Sequence, residues 1–141
     1  MRSLIILILL TNGAVAQDLD SKITSIAMYH SLDPELFRAV LAVESGLKQS
    51  AYNAKTRDVG IGQINLRTAK AWGFNEYRLK TDVNYNLVAS AKILSYFKAK
   101  YSHEKQWVCR YNVGTKRGAY KTKACVKYYL KVQKAMKRDF I

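Results

Sequence analysis

The chain of 141 residues reads as a mainly helical single domain of about six helices, with one irregular loop or short hairpin near residues 50–64. Three observations predict this. Apolar residues recur at helical spacing along most of the chain. Pro34 is the only proline, so little interrupts a helix. The stretch 47–64 has no clean period and collects Asn53, Asp58, Gly60 and Gly62, which are turn residues.

Taken in order, a first helix is expected from about Asp20 to His30, with Ile23, Ile26, Ala27 and His30 on one face. The second has the clearest boundaries. Asp33 is a side-chain cap, Pro34 occupies the first helical position, and Gly46 is a stop. After the irregular stretch, Asn65 can cap a third helix, Leu66 to Trp72, which Gly73 ends. Another loop leads to Asp82. A long helix follows from about Val83 to Lys100, with a partial stripe of Leu87, Ala91, Leu94 and Lys98. A short helix spans about Lys105 to Tyr111. The turn Asn112-Val113-Gly114 precedes a last helix, about Thr122 to Arg138, whose inner face is Cys125, Tyr128, Tyr129, Val132 and Met136.

The first residues read as a targeting segment. Arg2 supplies positive charge, Leu4 to Leu10 is an unbroken apolar run, and Ala14-Val15-Ala16 is a small-residue cleavage site. A signal peptide of residues 1–16 is therefore expected, leaving residues 17–141 as one exported domain. The apolar run is too short to span a bilayer, and no later segment is apolar enough to do so. Gln17, not a cysteine, follows the cut, so lipid attachment there has no support. Export makes the expected location periplasmic or secreted.

The formal net charge is +14, which points to a polyanionic surrounding. Nucleic acid, an acidic wall polymer and an anionic membrane surface all fit that charge, and export favours the last two. No base-reading motif is present. Much of the charge lies among Lys116, Arg117, Lys121, Lys123, Lys127, Lys131, Lys134, Lys137 and Arg138. Cys109 and Cys125 are the two cysteines. In an exported small domain they read as one disulfide, or else as two free thiols. His30 and His103 show no ligand spacing, so neither a metal site nor a cofactor is expected.

The residue that bears most on function is Glu44. It shares a helix face with Phe37, Val40 and Leu41, at i, i+3, i+4 and i+7. A carboxylate thus occupies a position that should face the core. It also lies in the last helical turn, where the dipole opposes negative charge. Both effects raise its pKa, and a carboxyl group protonated near neutral pH is what general-acid catalysis requires. In the irregular loop, Gly60 and Gly62 let backbone approach a ligand closely. Gln63 and Asn65 offer amides suited to sugar hydroxyl and acetamido groups. Tyr111 and Asn112 add a phenol and an amide beside a turn.

Glu44-Ser45-Gly46, Gly60-Ile61-Gly62-Gln63-Ile64-Asn65, Ala89-Ser90-Ala91-Lys92-Ile93-Leu94 and Tyr111-Asn112-Val113-Gly114 occur in this order. Together they resemble the soluble lytic transglycosylases, most of all the small exported members linked to secretion and conjugation machines. The resemblance covers about Ile23 to Gly114. It implies a goose-type lysozyme-like fold and cleavage of the β-1,4 bond between N-acetylmuramic acid and N-acetylglucosamine. Glu44 would protonate the leaving oxygen, then act as base toward the sugar's own C6 hydroxyl, closing a 1,6-anhydro ring. One carboxylate suffices for this, where the usual glycosidase needs two. A second is not evident: Asp58 is the only acid in the motif loop, and Glu35 lies on another helix face.

By matching position, Ser45 would support the acid or the adjacent backbone, and Gln63 would contact sugar near the cleavage point. Gly60 and Asn65 would lie along the substrate. Tyr111 would hydrogen-bond near Glu44, and Asn112 would hold the turn or the substrate. The resemblance further implies peptidoglycan strands as substrate, components of a conjugation or secretion apparatus as partners, and a monomer. A water-using muramidase and a basic wall-binding module are the competing readings. Two positions depart from the family. The usual Gly-Leu-Met-Gln run is Gly60-Ile61-Gly62-Gln63, removing a methionine that would press on the sugar. The Ala-Tyr-Asn run is Arg110-Tyr111-Asn112, placing a cation near the cleft.

Overall fold

Seven α-helices and a three-stranded antiparallel sheet make up the described chain. The structure, a computed structural model, describes the backbone of residues 2–138 and the side chains of residues 16–137. Helix α1 (Arg2–Tyr29) begins far before the expected Asp20. The reason is local: between Arg2 and Asp20 there is no proline and one glycine, Gly13, so nothing stops the helix. The expected signal segment, residues 1–16, falls on side chains outside the described residues except for Ala16. Among the described residues, no helix is long and apolar enough to cross a membrane.

Helix α2 (Pro34–Ser45) has the boundaries its punctuation predicts. The Asp33 side chain accepts from the Glu35 N–H, and Gly46 closes the helix in the left-handed region at φ 64°. Leu36, Phe37, Ala39, Val40 and Leu41 are buried along it. The irregular stretch resolves into strands β1 (Tyr52–Asn53), β2 (Asp58–Val59) and β3 (Ile64–Asn65), in that spatial order. Tyr52 pairs with Val59, and Asp58 with Asn65. Strands of two residues are too short to show alternation, which is why the sequence reads only as a loop or hairpin.

Asn65 caps α3 (Leu66–Trp72) and Gly73 ends it, as the sequence predicts. The expected loop to Asp82 instead holds a further helix, α4 (Glu76–Thr81), capped by Asn75. Six residues give no period to detect, and Leu79 is its one buried side chain. Asp82 then caps α5 (Val83–Lys100), the central helix. Helices α6 (Glu104–Val113) and α7 (Lys123–Arg138) follow, with a 3-10 turn at Ala119–Lys121 between them.

The core lies where these helices cross. Helix α7 packs against α2 and α6, α6 against α5, and α1 against α2 and α5. Ile23 and Ala27 from α1, Phe37 and Val40 from α2, Leu87 and Leu94 from α5, and Val132 from α7 are all buried. The sheet stands at the edge of this bundle, tied to α3 through β3.

Cys109 and Cys125 form a disulfide joining α6 to α7, with a sequence separation of 16. Both residues are fully buried. Closing a loop of this length restricts the unfolded chain by roughly 3 kcal/mol. Cys109→Ala combined with Cys125→Ala is expected to lower the unfolding free energy by about 2–4 kcal/mol. Urea titration followed by circular dichroism would read this, and an unmoved midpoint would rule out a stabilising crosslink.

Candidate active site

The last turn of α2 carries Glu44 to the wall of a cleft of about 530 Å³. Asp58, Gln63, Asn65, Trp72, Tyr111 and Asn112 also line it. Helix α2, the sheet, α3, α5 and the end of α6 therefore meet at one place, and each brings a side chain through a local rule already described. The four motifs, up to 70 residues apart in the chain, converge there.

The turn Gly60–Gln63 stands behind the site and brings Gln63 to the cleft. It is held by Asn86, a fully buried residue of α5. Asn86 Nδ2 donates to Val59 O at 3.0 Å and Leu79 O at 2.9 Å. Its Oδ1 accepts from the Gly62 N–H at 2.9 Å and from the Ser90 hydroxyl at 3.3 Å. A Cβ on Gly60 would meet Asn86 Nδ2 at 2.1 Å, and one on Gly62 would meet Ser90 Oγ at 1.8 Å. Both glycines are thus required by close approach to α5. At position 62 a Cβ would point at Ser90 and the Tyr111 hydroxyl. Glycine in place of the family's methionine thus lets the turn pack tightly against α5.

Tyr111 and Glu44 do not pair. The Tyr111 hydroxyl donates to Gly62 O at 2.7 Å and pins the turn from the other side. The hydrogen bond to Glu44 comes from Tyr128 of α7, at 2.5 Å to Oε1. The sequence marked Tyr128 only as an inner-face residue. Its polar tip on a buried face was the available signal, since a buried tyrosine hydroxyl needs a partner.

Burial pushes the Glu44 pKa up from 4.5 to about 7, with Asp58 adding to the rise. The Tyr128 hydrogen bond and the charge of Lys131 pull against it. Burial also raises the Tyr128 and Tyr111 hydroxyls, so both stay neutral donors. A carboxyl group half-protonated near pH 7 and open to a cleft can give a proton to a ligand and take one back.

The remaining expected residues divide by position. Gln63 is held at φ 48° and its Nε2 donates to Ala51 O and Gly60 O, at 3.2 Å and 3.0 Å. It lines the cleft while bracing the turn. Asn65 caps α3, and its Nδ2 donates to Thr56 O at 2.6 Å and Asp58 Oδ1 at 2.9 Å. Asn112 lies exposed at the rim. Ser45 and Gly60 do not line the cleft. The Ser45 hydroxyl donates to Ile61 O at 2.7 Å, welding the end of α2 to the turn. Two further residues were not anticipated as site residues. Trp72 is 38 % exposed and stacks on Phe74, with ring centroids 5.7 Å apart, presenting an aromatic wall. Asp58 lines the same cleft as Glu44, though Thr56 and Asn65 bind both its oxygens. Among the described residues, no cluster of His, Cys, Asp and Glu could hold a metal ion.

A family model, the transglycosylase SLT domain, matches residues 22–128. The chain belongs to the SLT transglycosylase family. No curated protein and no solved structure matches it. SLT domains act on peptidoglycan as lytic transglycosylases, outside the cytoplasm. The helical fold with its small sheet agrees with a lysozyme-like architecture.

The raised Glu44 pKa has a consequence for stability. The folded state holds this proton more tightly than the unfolded chain, so stability from this group is greatest below pH 4.5 and falls as the pH rises toward 7. Above pH 7 the folded protein carries a strained, buried charge. Glu44→Gln is expected to be the more stable protein at pH 8, by on the order of 2–3 kcal/mol, with the gap closing toward pH 4.5. Thermal melts of both proteins at the two pH values test this, and a variant less stable than wild type at pH 8 would contradict it.

Proposed function

We propose that this SLT domain cleaves the β-1,4 bond between N-acetylmuramic acid and N-acetylglucosamine, with Glu44 as its single general acid and base. The observation that carries the reading is the Glu44 carboxyl, held by Tyr128 at the cleft wall with its pKa near 7. Glu44 in its acid form protonates the glycosidic oxygen as the bond breaks. The resulting carboxylate then takes the proton of the substrate's C6 hydroxyl, which attacks the anomeric carbon and closes a 1,6-anhydro ring. The enzyme ends the cycle protonated again, so no water is consumed. Trp72 offers an aromatic face for a sugar ring, while Gln63, Asn65 and Asn112 line the strand's path. Tyr128 orients the acid.

The competing hydrolytic reading rests on Asp58, which shares the cleft and raises the Glu44 pKa. Each of its oxygens already accepts a hydrogen bond, from Thr56 and from Asn65, which makes it a weaker base toward water. The anhydro route is therefore the better supported. Export and a periplasmic or secreted location are supported by the N-terminal segment and by the buried disulfide, which needs an oxidising compartment. Local wall opening beside a secretion or conjugation machine rests on the family resemblance.

Digestion of purified sacculi by residues 17–141 tests the reaction. Anhydro-muropeptides, lighter by one water than reducing products, are expected from wild type and absent from Glu44→Gln by mass spectrometry. Reducing ends alone would make the enzyme a muramidase, and retained activity in the variant would remove Glu44 from the chemistry.

The pH profile follows from the same group. The free enzyme must start protonated, so kcat/KM should fall on the alkaline side with an apparent pKa about 7. Tyr128→Phe removes a hydrogen bond that favours the ionised acid. Its alkaline limb should move to higher pH. A limb that stays in place would show that Tyr128 does not act on Glu44.

A further inference from the structure

Arg110 is the unbalanced charge of the cleft. It sits beside Tyr111 on α6 and lines the same cavity as Glu44. It is 4 % exposed, yet no carboxylate among the described residues pairs with it. Its guanidinium carbon lies 4.3 Å from the Tyr101 ring centroid and 5.3 Å from that of Tyr120. Nη1 donates to Gly114 O at 3.1 Å, while the buried Nε has no hydrogen-bond partner among the described residues.

A buried guanidinium ordinarily carries a counter-ion, because desolvating it alone is costly. Here two aromatic faces and one carbonyl offset part of that cost. The rings also fix the plane of the fork before any ligand arrives, which reduces the ordering needed on binding. One of five donors is used within the protein. The acids of the cleft are otherwise engaged: Glu44 with Tyr128, and Asp58 with Thr56 and Asn65. What the arrangement lacks is an anion supplied from outside.

We propose that Arg110 is a carboxylate-binding subsite of the cleft, so that the enzyme selects glycan bearing a free carboxylate. The proposal rests on the cleft being the glycan-binding cleft. The carboxylate can come from the peptide stems carried on the glycan. It can also be the lactyl group of the sugar itself, which is free only where the stem has been removed.

The experiment measures kcat/KM on three solubilised glycan preparations: stems with free carboxylates, stems with their carboxylates amidated, and peptide-free strands with free lactyl carboxylates. Wild type, Arg110→Gln and Arg110→Lys are compared, with thermal melts to check folding. The lysine variant keeps net charge, so general attraction between a basic protein and an acidic polymer is held constant while the fork is lost. Wild type should prefer a carboxylate-bearing preparation over the amidated one by about tenfold. That ratio should fall to about twofold or less in Arg110→Gln, and by at least about threefold in Arg110→Lys. Preference for free stems names the peptide as the source, and preference for peptide-free strands names the lactyl group. Equal rates on all three by wild type, or an equal loss on all three by both variants, would overturn the proposal. Should Arg110→Gln fail to fold, Arg110→Lys decides alone. Should wild type cleave none of the three, the reading of the cleft as catalytic fails. The same ratios would then be read from retention of each preparation by wild type and Arg110→Lys.

Discussion

The site depends on one buried amide. Asn86 satisfies the carbonyls of Val59 and Leu79 and the Gly62 N–H with a single side chain. Without it, a turn carrying unpaired polar groups would lie against the apolar interior of α5, and such groups are costly to bury. With it, the turn can press so close to α5 that Gly60 and Gly62 have no room for a Cβ. Ser45 and Tyr111 then clamp the turn through Ile61 O and Gly62 O. The turn behind the cleft is thereby joined to α2, α5 and α6 at once, and Glu44 is held next to it.

The acid itself sits in a contest between burial and hydrogen bonding. Burial between α2 and its neighbours pushes its pKa up, while the Tyr128 hydroxyl and Lys131 pull it down. Both opposing groups come from α7. That helix is fixed in turn by packing on α2 and by the disulfide to α6. The basic C-terminal helix is thus part of the site's electrostatics as well as a positively charged surface. Its outer lysines can face an acidic wall while its inner face sets the proton affinity of Glu44.

Much of the fold was legible where the rules are local. Asp33, Pro34 and Gly46 bound α2, Asn65 and Gly73 bound α3, and Asp82 starts α5, because each cap acts on backbone groups within four residues. Helix α4 was not legible, since six residues with one buried leucine carry no period. The paired strands of two residues were likewise invisible beyond a loop. In the site, the helix period showed Glu44 facing the core, and the motif order brought Gln63, Asn65, Tyr111 and Asn112 to the same cleft. The partner of the acid could not be read that way. Tyr111 was the nearer candidate by motif, yet its hydroxyl is spent on Gly62 and Tyr128 takes the role.

While the bond between the two cysteines came from the structure, the sequence by itself determined the helical class, the caps, the two glycines of the turn and an acid on an apolar face. These follow from residue type and short spacing, which act before the chain has a tertiary structure. Only the tertiary structure decided that Tyr128 meets Glu44, that Asn86 secures the turn, that Asp58 shares the cleft, and that Arg110 is buried with no carboxylate paired to it among the described residues. Those pairings join residues 14 to 84 positions apart or depend on what is absent nearby. Distance along the chain carries no information about such contacts. They are set by how α2, α5, α6 and α7 pack, and packing is a property of the whole core.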